Sequence, residues 1–237
     1  MREKREIAAL IDAASAPYRA AGRIAWYFAR GKLRGDPVFA AILSQGLLAG
    51  RARILDLGCG QGLLSAWLIA ARVAGAHGSW PPTWPPPPQP EALLGVEINP
   101  REVGRARLAL GAEVQIVLGD IRHVDYAAAD AIVMLDVLHF NEYAAQEAVL
   151  TRARAALAPR GLLLLRVGDA DGGVRFAMSK AVDRIVALAR RGRLIRCWCR
   201  PLTEWLALLG RLGFHTRALP MSAGTPFANV LLIAEVA

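Results

Sequence analysis

Residues 53–68 read RILDLGCGQGLLSAWL. A short apolar run reaches three closely spaced glycines, and an apolar helical pattern begins directly behind them. That succession predicts a buried strand, a tight loop and a helix. The glycines, Gly58, Gly60 and Gly62, are spaced G-x-G-x-G, whereas a dinucleotide fingerprint needs G-x-G-x-x-G. The third glycine of that fingerprint would fall at position 63, which is Leu63. Asp56 lies two residues before the first glycine, where a carboxylate repels a pyrophosphate and attracts a cation. The loop therefore favours a positively charged ligand, such as a sulfonium carrying an ammonium group, over a phosphate. Glycines there let the backbone approach the ligand without a Cβ in the way.

Two further acids extend this reading. ALLGVEI (Ala92–Ile98) predicts a second strand ending at Glu97, and EVQIVLGD (Glu113–Asp120) a third ending at Asp120. Ligands of such sheets sit at the carboxyl ends of the strands. A carboxylate at Glu97 can take both hydroxyls of a ribose, and Asp120 can accept an adenine amino group. Each acid also has an ordinary alternative: Asp56 as a strand-end cap, Glu97 as a solvated helix entry, Asp120 as a turn former. Three acids at successive strand ends behind one glycine loop favour the ligand reading.

The same alternation continues along the chain. AIVMLDVLHF (Ala131–Phe140) holds a fourth strand, NEYAAQEAVLTRARAALA (Asn141–Ala158) is a helix stopped by Pro159, and GLLLLRVGD (Gly161–Asp169) is a fifth strand. Helical segments at 174–191 and 201–212 follow, then two strands in FHTRALPMS and ANVLLIAEV with no helix between them. Alternating strands and helices imply parallel pairing with right-handed crossovers, and the last two strands form an antiparallel, hairpin-like edge. The expected fold is α/β, a doubly wound, mostly parallel sheet of seven strands. Before it, residues 7–49 read as helices broken near Pro17 and within Gly31–Pro37, with Asp36 as a cap before Pro37. Asn99 and Pro100 repeat that capping pattern. The segment 78–91, GSWPPTWPPPPQPE, contains too much proline for helix or central strand and reads as a surface loop of polyproline character. The expected organisation is an N-terminal helical cap over 1–50 and a ligand-binding domain over 51–237, with a lid and basic helices over 173–213.

Bulk properties narrow the class. The chain has 237 residues and is 54% hydrophobic, which excludes a disordered protein. Its start, MREKREIAAL, lacks the apolar core of a signal peptide, and no run of about 18 residues is apolar enough for a membrane span. Three cysteines suit a reducing compartment, so the expected location is the cytoplasm, with attachment to the inner face of the membrane as a finer alternative. Cys197 and Cys199 lack a second pair of ligands, so no metal site is expected. The formal charge is +9, and residues 173–217 carry ten Lys/Arg against two Asp/Glu. That concentration suits an acidic partner, a carrier protein or an anionic membrane surface, although a solvated helix face is the plain alternative. Trp198 and Trp205 can anchor at such a surface or wall a substrate pocket. Aromatic residues within the basic run are few, which disfavours nucleic acid.

These motifs together resemble the class I S-adenosylmethionine-dependent methyltransferases. LDLGCGQG is similar to the family's first motif, GVEINP to the second-strand acid motif, GD at 119–120 to the third, MLDVLHF to the fourth-strand motif and LAPRGLLLLRVGD to the turn and fifth strand. The resemblance spans residues 50–169 and implies a Rossmann-like fold with S-adenosylmethionine as cofactor. It implies cofactor contacts from Asp56, Gly58, Cys59, Gly60 and Gly62, from Glu97 and Ile98, from Asp120 and Ile121, and from Asp136. The proline-rich insertion is a departure that puts the loop geometry near the ribose in question. The chain from 161 onward is also similar to methyltransferases found with bacterial aryl-polyene pigment biosynthesis, which implies a secondary-metabolite role and a hydroxyaryl acceptor, presented on an acyl carrier.

Methyl transfer needs an in-line nucleophile, so positioning carries much of the rate. His139, behind the fourth strand, can take a proton from a phenol or orient a hydroxyl; its alternative is to cap the next helix or pack beside Phe140. Arg166 interrupts an apolar strand, so it binds an acidic or carbonyl group or forms an ion pair with Asp136 or Asp169. Tyr143 and His123 are weaker candidates. The expected activity is methyl transfer to a small hydrophobic or hydroxyaryl acceptor. The alternatives are an RNA or protein methyltransferase, disfavoured because LDVLHF replaces an N-P-P-Y motif, a non-catalytic binding protein of the same fold, and an NAD-dependent reductase.

Overall fold

The structure is a computed structural model describing residues 2–170, 197–222 and 228–237. The predicted basic helix at 174–191 lies outside the described residues, as does most of the proposed lid. The strands form a seven-stranded sheet in the order β3-β2-β1-β4-β5-β7-β6. The fold is α/β with a mostly parallel sheet ending in an antiparallel hairpin, as the strand spacing predicts. Two compact units divide the chain, Met1–Asp120 and Ile121–Ala237.

The first unit opens with α1 (Arg2–Ser15), a 3-10 turn (Ala16–Arg19), α2 (Arg23–Gly35) and α3 (Pro37–Ser44). The break near Pro17 is real. Gly31 and Gly35, however, remain helical, and the chain leaves α2 only at Asp36. There the Asp36 carboxylate accepts from the Val38 N–H at 3.1 Å, ending one helix and capping the next. Then come β1 (Arg53–Leu57), α4 (Leu63–Ala76), β2 (Ala92–Glu97), α5 (Pro100–Leu110) and β3 (Gln115–Leu118). The three strands pair in parallel in unbroken register, Asp56 opposite Gly95 and Glu97 opposite Leu118. α1 packs on α4 and α2, and Trp67 of α4, 1% exposed, donates its indole N–H to the Phe39 carbonyl at 2.8 Å. Asn99 caps α5 by accepting from the Arg101 N–H at 3.0 Å.

The proline-rich segment has neither helix nor strand. It is a packed connection rather than a loose one: Trp80 donates to the Pro85 carbonyl at 2.9 Å and meets Trp84 edge-on, and Trp84 donates to Glu3 of α1 at 3.1 Å. Prolines leave few backbone donors to satisfy, which suits a segment pressed against helices. The segment enters β2 at Ala92, the end opposite Glu97. Five residues of strand, about 16 Å, separate it from Glu97, so the insertion leaves the register around that acid intact.

The second unit holds β4 (Ala129–Leu135), α6 (Tyr143–Ala156), β5 (Leu157–Gly168), α7 (Leu202–Arg211), β6 (Phe214–Pro220) and β7 (Asn229–Val236). β4 and β5 are parallel, while β7 runs antiparallel to both β5 and β6. Two boundaries differ from the sequence reading. β4 stops at Leu135 because Asp136 takes the left-handed region at φ 59°, and Leu138–Phe140 form a 3-10 turn. β5 starts at Leu157, four residues early, since the register shift between Ala129 and Ala131 absorbs the Ala158–Gly161 corner where Pro159 cannot donate. The core here is Ile132–Met134, Leu162–Leu165 and Leu231–Ala234, all buried. Trp205 belongs to it at 1% exposed, so it is a packing residue and cannot anchor at a membrane surface.

Gly46 tests the structural role of the proline segment. Its φ is +62°, and a Cβ there would lie 2.9 Å from the Pro85 Cβ. Gly46→Ala should destabilise the fold by about 1–2 kcal/mol in urea unfolding followed by tryptophan fluorescence, with S-adenosylhomocysteine affinity unchanged. A loss of affinity that exceeds the loss of stability would place the segment in the ligand site instead.

Candidate active site

The glycine loop is stitched to the end of β2 by its own backbone. Gly58 N and Cys59 N both donate to the Val96 carbonyl, at 2.8 and 3.0 Å, and Gly62 N closes the turn on the Cys59 carbonyl at 2.9 Å. Glu97 completes the attachment from the side-chain direction. One of its carboxylate oxygens accepts from Gly60 N at 2.9 Å and the other from Asn99 N at 2.8 Å. These two bonds fix the plane of the carboxylate, and each oxygen retains a lone pair for a hydroxyl. Gly60 has φ +57° and a Cβ built there meets nothing within 4 Å, so this position faces open space that a ligand can enter. At Gly62 the reason for glycine differs: a Cβ would strike Leu110 of α5 at 2.5 Å.

Asp56 sits within β1 and is 5% exposed. Burial, and then the neighbouring Glu97 carboxylate, push its pKa up to about 7. Cys59 is buried with its sulfur against Gly95, where a Cβ would come within 2.8 Å of it. Burial, followed by Asp56 and Glu97, raises its thiol, so Cys59 stays protonated and contributes its backbone rather than a nucleophile. Beyond the strand ends, Ile98 is 42% exposed and Leu118, paired with Glu97 in the sheet, is 51% exposed. Two uncovered apolar side chains beside the ribose acid suit the faces of a purine. Asp120 lies two residues past β3, not on it, behind a Gly119 N–H that donates to the Glu97 carbonyl at 2.9 Å. Ile121, at the start of the second unit, is buried.

Three residues of this half escaped the sequence reading: Leu118, Tyr18 and Gln61. Tyr18 is completely buried and donates its hydroxyl to the Gln61 carbonyl at 2.8 Å, and the Gln61 amide donates to the Ala25 carbonyl at 3.0 Å. Leu118 was legible as an apolar strand end. The partners of Tyr18 and Gln61, 43 positions apart, were not.

In the second unit, Arg166 is 1% exposed and bonds Asp136 through two nitrogens, Nε to Oδ1 at 2.8 Å and Nη2 to Oδ2. Of the two readings of Arg166, the ion pair with Asp136 is the one present. Asp136 keeps a third of its side-chain surface open. His139 is buried in the turn after β4, its ring 4.1 Å from Phe140 and its carbonyl accepting from Trp198 N at 2.7 Å. The organiser of this turn is Gln146, fully buried, whose amide reaches the carbonyls of Leu138, Asn141 and Trp198 at 2.8–3.2 Å. Arg200 joins it, donating to Gln146 at 3.0 Å and to Glu147 at 2.8 Å. Arg200 therefore leaves the basic surface expected over 173–217, while Arg211 and Arg217 remain exposed. Tyr143 donates to the Cys199 carbonyl at 3.1 Å, a tether between α6 and the returning chain. His123 lies in the turn after β3. Among the described residues no cluster of three His, Cys, Asp or Glu is placed to hold a metal, and no helix is long and apolar enough to cross a membrane.

A buried acid beside a ribose-type carboxylate, at a glycine loop with no phosphate-binding spacing, fits a cationic nucleoside. Comparison with known proteins agrees. The family model of a methyltransferase domain matches residues 2–218. Carboxy-S-adenosyl-L-methionine synthase of Chromohalobacter salexigens is 38% identical over 143 residues, 56% of this chain and 48% of that protein. The chain thus spans about half the length of that curated relative. Among solved structures, the mitomycin 7-O-methyltransferase MmcR is similar at a TM-score of 0.59 and 23% identity, covering 89% of this chain and 56% of that one. Magnesium protoporphyrin IX methyltransferase from Synechocystis PCC 6803 with bound SAH is similar at a TM-score of 0.59 and 20% identity, covering 91% and 88%. At these identities the structural likeness carries the fold alone. The chain belongs to the methyltransferase domain family, within the class I S-adenosylmethionine-dependent methyltransferases. S-adenosylmethionine is the cofactor of this family; the first unit sets a buried acid at Asp56, an open backbone position at Gly60 and an oriented carboxylate at Glu97 around one loop.

The Asp56 carboxyl gives this fit a pH signature. In the free chain it is largely protonated below pH 7, and a bound cation favours the carboxylate. Cofactor affinity should therefore rise by about tenfold from pH 6 to 8 and level off above, with proton release at pH 6 visible as a buffer-dependent heat. The folding effect has the opposite sign: a carboxyl raised above its unfolded value of about 3.9 adds stability at low pH that is lost as pH climbs through 7. Asp56→Asn should accordingly hold or raise the ligand-free melting temperature at pH 8 while weakening S-adenosylmethionine by tenfold or more. Unchanged affinity in this variant would remove Asp56 from the ligand site.

Proposed function

We propose that the chain transfers the methyl group of S-adenosylmethionine to a small hydrophobic acceptor, with a hydroxyaryl as the favoured class. The observation that carries this reading is the face of α2. Ile24 and Tyr27 are 75% and 56% exposed, Phe28 is 38% exposed, and the Ala25 carbonyl between them is the one held by Gln61 of the glycine loop. An uncovered apolar and aromatic face on the helix whose buried side is bonded to the cofactor loop suits a flat, apolar acceptor. The cofactor supplies an electrophilic methyl on a sulfonium; the chain supplies orientation and a route for the proton. We assign Asp136, its plane fixed by Arg166, to the methionine end of the cofactor. Arg166 thereby acts through Asp136 rather than on the acceptor. His139 takes the proton of the attacking hydroxyl, its backbone pinned by Trp198 and the Gln146 network.

Two finer readings belong with this one. A carrier-bound acceptor would dock through the basic region, to which Arg211 and Arg217 contribute exposed charge. The same charge suits peripheral association with an anionic membrane of the cytoplasmic face. Secondary-metabolite biosynthesis is the setting that a hydroxyaryl acceptor favours, and the mitomycin enzyme among the structural relatives is consistent with it.

The test is calorimetry followed by transfer. Micromolar binding of S-adenosylmethionine and S-adenosylhomocysteine, with no binding of NADH, is expected, followed by label transfer from methyl-labelled cofactor to a panel of hydroxyaryl compounds. Binding of NADH alone, or transfer only to RNA or to protein side chains, would refute the proposal. His139→Ala should lower kcat by 10²-fold or more with cofactor Kd unchanged; turnover at the normal rate removes His139 from the chemistry. Docking of an acyl carrier should weaken between low and physiological salt, and indifference to salt would rule out the electrostatic surface.

A further inference from the structure

Two glycines of the cofactor loop, Gly60 and Gly62, flank Gln61 and both have positive φ. Gly60 N is held by Glu97 and Gly62 N by the Cys59 carbonyl, while the Gln61 side chain and carbonyl are held from outside the loop, elsewhere in the first unit. The Tyr18 hydroxyl, in the turn behind α1, grips the Gln61 carbonyl, and the Ala25 carbonyl of α2 receives the Gln61 amide. Both bonds are buried, where an unsatisfied group is costly, and Tyr18 and Gln61 are at most 1% exposed.

We infer that Tyr18 is a positioning residue for cofactor binding: through Gln61 it locks the glycine loop to the N-terminal helices, so loop and helices close on the cofactor as one element. The Tyr18 environment keeps its hydroxyl a donor, since burial and the nearby Cys59, Asp56 and Glu102 all oppose ionisation. The Gln61 side-chain oxygen is buried and has no hydrogen-bond partner among the described residues, so Gln61 is held by its amide and its backbone carbonyl, each tied to a different part of the N-terminal segment. Losing either tie leaves the Gln61 peptide held only by the other and by the Gly60 and Gly62 N–H bonds to Glu97 and Cys59, and loosens it between two glycines. Linkage then requires the converse: a bound cofactor that orders the loop must also order residues 16–35.

This rests on the cofactor reading above, and the experiment separates the two. Tyr18→Phe removes one hydroxyl and keeps the ring; Gln61→Met removes the amide bond to Ala25 and keeps the backbone carbonyl. Each should weaken S-adenosylhomocysteine by about 5–20-fold, the cost of one buried hydrogen bond. The double variant should be weaker by less than the product of the two, because both ties hold one peptide. In the unaltered chain, saturating S-adenosylhomocysteine should slow amide exchange across residues 16–35, and Tyr18→Phe should abolish that protection. A lowered melting temperature with Kd within twofold of the unaltered chain makes Tyr18 merely structural and overturns this inference alone. Should Tyr18→Phe fail to fold, Gln61→Met decides by the same Kd criterion. Failure of the unaltered chain to bind the nucleoside overturns the cofactor reading and this inference together.

Discussion

The Glu97 carboxylate is the point on which the cofactor half depends. Two backbone N–H groups, from Gly60 and Asn99, converge on it. They fasten a glycine loop to the end of β2 and set the start of α5 with the same side chain. Burial raises the neighbouring Asp56 carboxyl, and the Glu97 carboxylate, repelling a second negative charge at the same site, raises it further. The buried Asp56 carboxyl, pushed up to about 7, thus stands directly behind the glycine loop.

Around this centre the N-terminal helices are tied to the glycine loop rather than standing apart from it. α1 and α2 pack on the framework through α4, and the proline-rich segment reaches back to α1 through Trp84 and Glu3. Short hydrogen-bonded ties from Tyr18 and Ala25 then reach the loop itself. The insertion between α4 and β2 is tolerated because it enters at the end of β2 away from the ligand.

The second unit solves a different problem, the burial of polar groups behind an apolar strand pair. Arg166 within LLLLRVG has its charge met by Asp136, a residue placed to do so by its left-handed backbone. Gln146 gathers three carbonyls of a turn that would otherwise lose water without compensation, and Arg200 closes the network. A charge that looked like part of a docking surface thus turns out to be structural.

The sequence by itself determined the class. Periodicity placed the strands and most of the described helices, Asp36–Pro37 and Asn99–Pro100 marked helix starts, and the spacing of Gly58, Gly60 and Gly62 with Asp56, Glu97 and Asp120 pointed to a cationic nucleoside. These signals are local: a strand's apolar run, a cap and a glycine loop are each written within a few residues. Tertiary structure alone decided the rest. It settled Arg166 as the partner of Asp136, buried Trp205 in the core, ended β4 at Asp136, and joined Tyr18 to Gln61 across 43 positions. Such pairings depend on how distant segments pack, because a hydroxyl or a guanidinium can bond any acceptor that burial brings to it. No spacing in the chain specifies which acceptor that will be.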